Sequence, residues 1–279
     1  MGSLLIAVIA NSALVFSMKC AENARTHRSS VVLCNYIFGA LLVLLLSGGF
    51  SGQALPKKSL WPLAGLALAG ACLMTACMLI QQCSLHRNGA GITTTYNRLG
   101  VLIPTLLSIL LFQEYPSISK TCGIVLAIAA VLYAYERHAD CGRKDYVLLA
   151  LVLILGGLID FISKVFGILF LPESKNLYTF LSFLLCAVIM SAVVLLQRAP
   201  LSRKDAVYGA FLGIPNAGIT LGMIGAAAVL PAYIVFPVYS GAVILIVNLA
   251  GVLLFKEHLT RRETISTVMI AMALVLLNI

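Results

Sequence analysis

The chain has 279 residues, of which 61% are hydrophobic and only 10% charged, with a mean hydropathy of +1.04 and a formal charge of +9. That balance excludes an ordinary soluble domain, which could not cover its surface with so few polar groups. The positive charge is spread over short turns instead of forming a patch, so it reads as a membrane topology signal and not as a nucleic-acid surface.

A helix needs about 20 apolar residues to cross about 30 Å of hydrocarbon. The apolar runs predict ten spans: 2–19, 30–49, 60–82, 90–112, 118–135, 146–169, 176–197, 205–229, 231–255 and 263–279. Long unbroken runs are not the alternating pattern of a membrane β-barrel. The first run lacks a basic leading segment and a convincing cleavage site, so it is read as a span and not as a signal. The single tryptophan, Trp61, opens the third span as an interfacial anchor. The eight cysteines include no Cys-x-x-Cys pair, and most lie inside apolar runs, where they act as small hydrophobes. Five spans fall on each side of a polar connector, Glu136–Asp145. The expected division is thus a first five-span unit, 1–135, a connector, 136–145, and a second unit, 146–279. The turns are too short for a soluble domain, so any chemistry lies within the membrane or at its faces.

One stretch occurs twice. Leu110-Leu111-Phe112-Gln113-Glu114 returns as Leu253-Leu254-Phe255-Lys256-Glu257, an offset of about 143 residues. At the same offset Thr121, Val125 and Ala130 meet Thr264, Val268 and Ala273. Phe16 and Lys19 meet Phe161 and Lys164 at 145. A near-constant offset argues for internal duplication. An odd number of spans per copy turns the two copies over relative to each other, the inverted-repeat plan that places a site near the midplane.

Ten spans in two halves, a lysine near the end of the first span and Phe-x-Glu closing the fourth resemble the drug/metabolite transporter superfamily, in its EamA-like branch. The resemblance covers nearly the whole chain, but its short motifs mark the superfamily and not a substrate. It implies an all-α, multi-pass carrier of small metabolites in the bacterial cytoplasmic membrane, working by alternating access, often as an exporter or exchanger. The small multidrug members carry a carboxylate in mid first span. Asn11 stands there in this chain, so their proton-coupling site does not carry over. No catalytic residue, metal or cofactor is expected. The expected partners are a small-molecule substrate and the bilayer, with the chain a monomer or homodimer and no nucleic acid bound.

Orientation is read two ways. Lys and Arg crowd the turns after odd-numbered spans, as at Arg25, Arg28, Arg87, Arg143, Lys144, Arg203, Lys204, Arg261 and Arg262. The even-numbered turns hold only Lys57, Lys58, Lys120 and Lys175. The positive-inside rule then places both termini outside, whereas members of the superfamily usually have them inside.

Arg98 stands about nine residues into the fourth span, roughly 13 Å deep at 1.5 Å per residue. A guanidinium at that depth faces a bundle interior or a wet cavity, where it binds a carboxylate or phosphate, or else forms a structural ion pair with Asp160. Thr94, Tyr96 and Asn97 share its polar stretch, and Tyr96 meets Tyr239 at the repeat offset. Two tyrosines at equivalent depths suit a substrate pocket or an interfacial aromatic belt. Asp160 and Lys164, four residues apart, share a helix face and are read as an ion pair, with Asp160 the proton carrier if transport is proton-coupled. Lys164 and Lys19 are candidates for substrate contact and gating, against snorkelling to the interface. In span eight, Pro215 frees a backbone carbonyl and Asn216 offers an amide to a substrate, while Gly209, Gly213, Gly218 and Gly222 are read as packing. Pro104 and Pro237 are candidate gating kinks.

A lipid-carrier flippase on the same fold is the alternative. A membrane-embedded lipid-modifying enzyme is a third, but His27, His86, His138 and His258 lie in separate turns without ligand spacing.

Overall fold

The computed structural model describes residues 2–23, 26–48, 57–88, 90–113, 115–134, 145–255 and 261–278. Glu114, the connector as far as residue 144 and the second Phe-x-Glu at Lys256–Glu257 lie outside the described residues, as does the side chain of Lys19. Every α-helix among the described residues falls on one of the ten predicted runs. They are α1 (Gly2–Asn23), α2 (Arg28–Leu46), α3 (Lys57–Asn88), α4 (Ala90–Leu99), α5 (Leu102–Phe112), α6 (Ile118–Ala134), α7 (Tyr146–Leu169), α8 (Lys175–Leu196), α9 (Arg203–Ala227), α10 (Ala232–Phe255) and α11 (Arg261–Asn278). Six helical stretches are long and apolar enough to cross a membrane: Arg28–Leu46, Leu60–Asn88, Ile92–Phe112, Tyr146–Leu169, Pro172–Leu196 and Arg203–Ala227. Four shorter apolar stretches of 10–17 residues accompany them, on α1, α6, α10 and α11. The protein is a multi-pass, all-helical membrane protein. Large side chains such as Trp61, Ile118 and Leu196 are exposed, an arrangement that hydrocarbon accepts and water would not.

Local chemistry sets the helix ends. Ser202 caps α9 through a reciprocal box, its hydroxyl accepting from the Asp205 amide at 3.2 Å while the Asp205 carboxylate accepts from the Ser202 amide at 2.9 Å. The first Phe-x-Glu is a helix stop: Gln113 takes a left-handed conformation, φ 54°, and closes α5. Phe112 beside it stacks on Phe161 of α7, with ring centroids 6.0 Å apart.

The chain forms two compact units. One comprises Met1–Thr75 with Val165–Val229, and the other Ala76–Lys164 with Leu230–Ile279. In the first unit α9 packs on both α1 and α2, and its glycines decide how closely. A methyl built on Gly213 would stand 2.7 Å from the Asn35 carbonyl oxygen and 3.0 Å from the Gly39 amide. On Gly222 it would meet the Ser3 carbonyl oxygen at 2.7 Å. Gly209–Gly213 seats α2 and Gly218–Gly222 seats α1, so the packing reading of these four residues is borne out. α2 also lies against α8. Ser29 Oγ donates to Gln197 Oε1 at 2.8 Å, and Tyr36 meets Phe183 edge-on at 5.6 Å. Residue numbers rise along α2 as they fall along α8, so the two helices run antiparallel.

In the second unit α6 and α11 pair in the same sense. Ser119 Oγ donates to the Leu276 carbonyl at 3.2 Å, a methyl on Gly123 would stand 3.2 Å from the Ala273 carbonyl oxygen, and Ser266 Oγ donates to the Ala130 carbonyl at 2.8 Å. α10 packs against α5, α6 and α11.

Replacing Gly213 by valine overpacks the α2–α9 contact, and the expected cost is about 1–3 kcal/mol. It is read as a lower unfolding midpoint in detergent. The same change at Gly65, which has no neighbour within 4 Å, leaves the midpoint within experimental scatter.

Candidate functional site

The fourth predicted span is two helices. α4 ends at Leu99, a turn covers Gly100–Val101, and α5 starts at Leu102. Pro104 accounts for the break. It has no N–H to return to the Gly100 carbonyl four residues back, and its ring crowds that carbonyl. The Ile103 amide takes the Gly100 oxygen instead, at 3.0 Å, in a tighter turn. Arg98 therefore sits in the last turn of α4, the end of a helix at which the macrodipole favours a cation.

The broken segment lies directly on α7. A methyl on Gly156 would stand 2.7 Å from Asn97 Oδ1, and one on Gly100 would meet the Leu153 carbonyl oxygen at 3.0 Å and the Gly157 amide at 3.1 Å. Gly157 is equally close to Gly100 and Ile103. This Gly156-Gly157 step is what the sequence reading missed. Its signal was a glycine pair inside an apolar run, four and three residues before Asp160. With the backbones this close, the α7 face carrying Asp160 comes opposite the end of α4. Arg98 is the cation that acts on Asp160, and both Asp160 and Tyr239 of α10 act electrostatically on Arg98. Arg98 and Asp160 are each half-buried, and Tyr239 is buried.

Arg98 also lines a small cleft with Leu99, Val101, Ala127, Ile128, Val131, Pro237, Ser240 and Gly241. Its walls come from the α4–α5 break, α6 and α10. The surface these residues present to it is apolar. α10 continues through Pro237 as a helix, which presents the proline ring to this cleft.

The other predicted residues distribute as follows. Asn97 and Tyr96 lie half-buried on α4 with Arg98, Asn97 against Gly156. Thr94 is exposed. Its neighbour Thr93 turns inward and shares a hydrogen bond with Ser84 Oγ at 2.9 Å. Lys164 does not snorkel. It is 5% exposed, and its Nζ donates to the Leu230 carbonyl at 3.1 Å, just before α10. Lys164 thus bonds backbone oxygen, and Arg98 is the cation whose charge acts on Asp160. Pro215 and Asn216 belong to the other unit, on α9, which runs unbroken through Pro215. Asn216 Nδ2 donates to Asn35 Oδ1 on α2 at 3.3 Å.

A polar network closes one end of the second unit. Asn88 at the end of α3 donates through Nδ2 to Ser84 Oγ at 3.1 Å and to the Asp145 carbonyl at 3.3 Å, and accepts from the Asp145 amide at 2.8 Å. Asp145 caps α7 by accepting from the Leu148 amide at 3.2 Å and is bridged by Arg87 at 2.9 Å. The Leu148 amide first, with the Arg87 side chain, holds the Asp145 carboxyl below the usual carboxylate range.

Residues 1–135 match the EamA-like transporter family. The match bears out the resemblance to the drug/metabolite transporters, and EamA-like proteins are membrane transporters of that type. A comparison with curated proteins gave no match. One solved crystal structure is similar over 98% of this chain and 94% of its own, with a TM-score of 0.78 and 13% identity. At that identity the likeness speaks for the fold alone.

A carboxyl whose folded-state pKa is depressed stabilises the fold above its unfolded value, and the benefit fades as pH falls. Asp145→Ala is accordingly expected to lower the unfolding midpoint at neutral pH, with the gap to the parent narrowing below about pH 4. Thermal scans at several pH values check this; a gap that does not depend on pH would assign the loss to something other than the carboxylate.

Proposed function

We propose that the protein is a secondary transporter of small polar metabolites carrying a carboxylate or phosphate. It works by alternating access between two inverted five-span repeats, 1–135 and 146–279, in the bacterial cytoplasmic membrane, as an exporter or exchanger. The observation that carries the substrate class is Arg98, a half-buried cation in the last turn of α4 beside a helix break. Charge inside a membrane bundle is expensive and is usually functional. The fork of a guanidinium suits a planar or tetrahedral anion.

The inverted repeat draws support from pairs of helices. Equivalent helices under the sequence offset, α2 with α8 and α6 with α11, pack on each other and run antiparallel, as an inverted relation requires. The match extends to residues. At the offset of 143, Gly123 corresponds to Ser266 and Ala130 to Ala273. Gly123 lies against Ala273, while Ser266 bonds to Ala130. Each contact is the mate of the other.

In this reading Arg98, with Tyr96, Asn97 and Tyr239 near it, receives the anionic group. Lys164 holds α7 to the start of α10, and the Gly100–Val101 break is a hinge on which α4 and α5 change angle. The test is a thermal-stability screen of purified protein against anionic, zwitterionic and cationic metabolites, repeated with Arg98→Gln. A compound that binds the folded state raises its stability by about 2.7 kcal/mol at a hundredfold excess over its Kd. Stabilisation by carboxylate or phosphate compounds is expected in the parent and lost in the variant. Stabilisation that survives the substitution would make Arg98 structural and sink the assignment.

A further inference from the structure

We propose that the end of the first unit where the α1–α2 and α8–α9 turns meet is a docking surface for an anionic phospholipid. Arg198, Arg203 and Lys204 take its headgroup phosphate, and Leu195, Leu196 and Leu201 lie along its acyl chains. The inference needs only that the chain lies in a bilayer, and it stands apart from the substrate assignment above.

The two turns are built into one platform. The His27 amide donates to Asp205 Oδ1 at 2.9 Å, Ser29 Oγ to Gln197 Oε1 at 2.8 Å and Ser30 Oγ to the Pro200 carbonyl at 2.8 Å. The cations are therefore carried by backbone that is already ordered, which lowers the cost of binding. Asp205, the acid nearest to them in the chain, is buried and occupied. Its other oxygen accepts from the Ser202 amide and hydroxyl at 2.9 and 2.8 Å. Arg198, Arg203 and Lys204 are exposed, and among the described residues their side chains have no hydrogen bond or ion pair. The second unit treats Arg87 in the opposite way, with Asp145 bridging it at 2.9 Å. An excess of positive charge thus stays at this end of the first unit. Arg198 gives a second, independent sign. It takes a left-handed conformation, φ 48°, where α8 stops. Its own amide returns to the Leu195 carbonyl at 3.1 Å and the Ala199 amide to the Val194 carbonyl at 3.0 Å. Glycine is the ordinary residue at such a stop, and any other side chain is strained there. A strained residue without a polar partner in the chain points to a use outside it. The leucines give the chemistry of the partner. Leu195 and Leu196 on the last turn of α8, and Leu201 between Arg198 and Arg203, are 76%, 84% and 63% exposed. Apolar side chains beside unpaired cations suit a molecule that is anionic at one end and hydrocarbon at the other. A free phosphate would use the cations and leave the leucines bare. Each cation near a membrane surface favours anionic lipid by about fivefold.

The test titrates the purified full chain in detergent with dioleoylphosphatidylglycerol and, separately, with dioleoylphosphatidylcholine, and counts bound lipid by native mass spectrometry. The expected result is phosphatidylglycerol held about tenfold more tightly, with the preference shrinking as salt rises. Arg198→Gln combined with Arg203→Gln and Lys204→Gln is expected to abolish the preference. The same charge removed elsewhere, by Lys57→Gln, Lys58→Gln and Lys175→Gln, is expected to leave it in place. Inorganic phosphate in large excess is expected to displace no lipid. A preference that survives the first triple change, or falls as far in the second, overturns the inference. Displacement by inorganic phosphate would mark a phosphate site that needs no lipid, and overturns it too. Should the first triple variant lose its monodisperse peak on size exclusion, Arg198→Gly decides. Glycine relieves the left-handed turn, so the unfolding midpoint holds or rises while the preference falls about fivefold. A preference unchanged in Arg198→Gly would then sink the inference.

Discussion

Inside hydrocarbon a backbone amide has no water to bond, so each span must close its hydrogen bonds within itself. This demand shapes the whole molecule. It makes every described regular element a helix, and it leaves little but van der Waals contact, at small residues, to hold one helix to the next. The glycine rows of α9 against α1 and α2, Gly123 against α11, and Gly156-Gly157 of α7 against the α4–α5 break are its result. Where the demand is relaxed, function can gather. Pro104 forces a tighter turn at Gly100, whose oxygen accepts from the Ile103 amide, and Arg98 stands in the turn of helix just before it.

That placement joins two energies that would each be unfavourable alone. A guanidinium in an apolar bundle is costly, and so is a carboxylate. The helix end and Asp160 offset the first, and Arg98 offsets the second. Opposite charges buried near each other are a weak source of stability.

Lys164 makes the contrast. It has the same formal charge and also lies inside the second unit, yet it is bound to a backbone carbonyl at the entry to α10. Its ammonium ties two helices together and is one of the features that hold α7 in place for Asp160. The network of Ser84, Asn88, Arg87 and Asp145 does similar work where α3 ends and α7 begins. Residues of like charge thus take different partners in the second unit.

Much of this was legible in the residue order. Apolar runs of span length are a one-dimensional signal, so the helices fall on the predicted runs, and Arg98 stands out because a charge in such a run has no local excuse. The recurrence of Leu-Leu-Phe-x-Glu is legible too, since an offset needs no coordinates. Partners are another matter. Asp160 and Lys164 are four residues apart and read as a pair, but Arg98, 62 positions before Asp160 in the chain, is the cation that acts on it. Thr93 rather than Thr94 turns inward because Ser84 of α3 meets it there. Asn216 is met by Asn35. None of these meetings has a local pattern, because each depends on the depth and rotation at which helices far apart in sequence settle. Those are decided by where glycine lets two backbones touch. The sequence by itself determined which segments are helices, that they lie in a membrane, and which charge is out of place there. The tertiary structure alone decided what that charge faces.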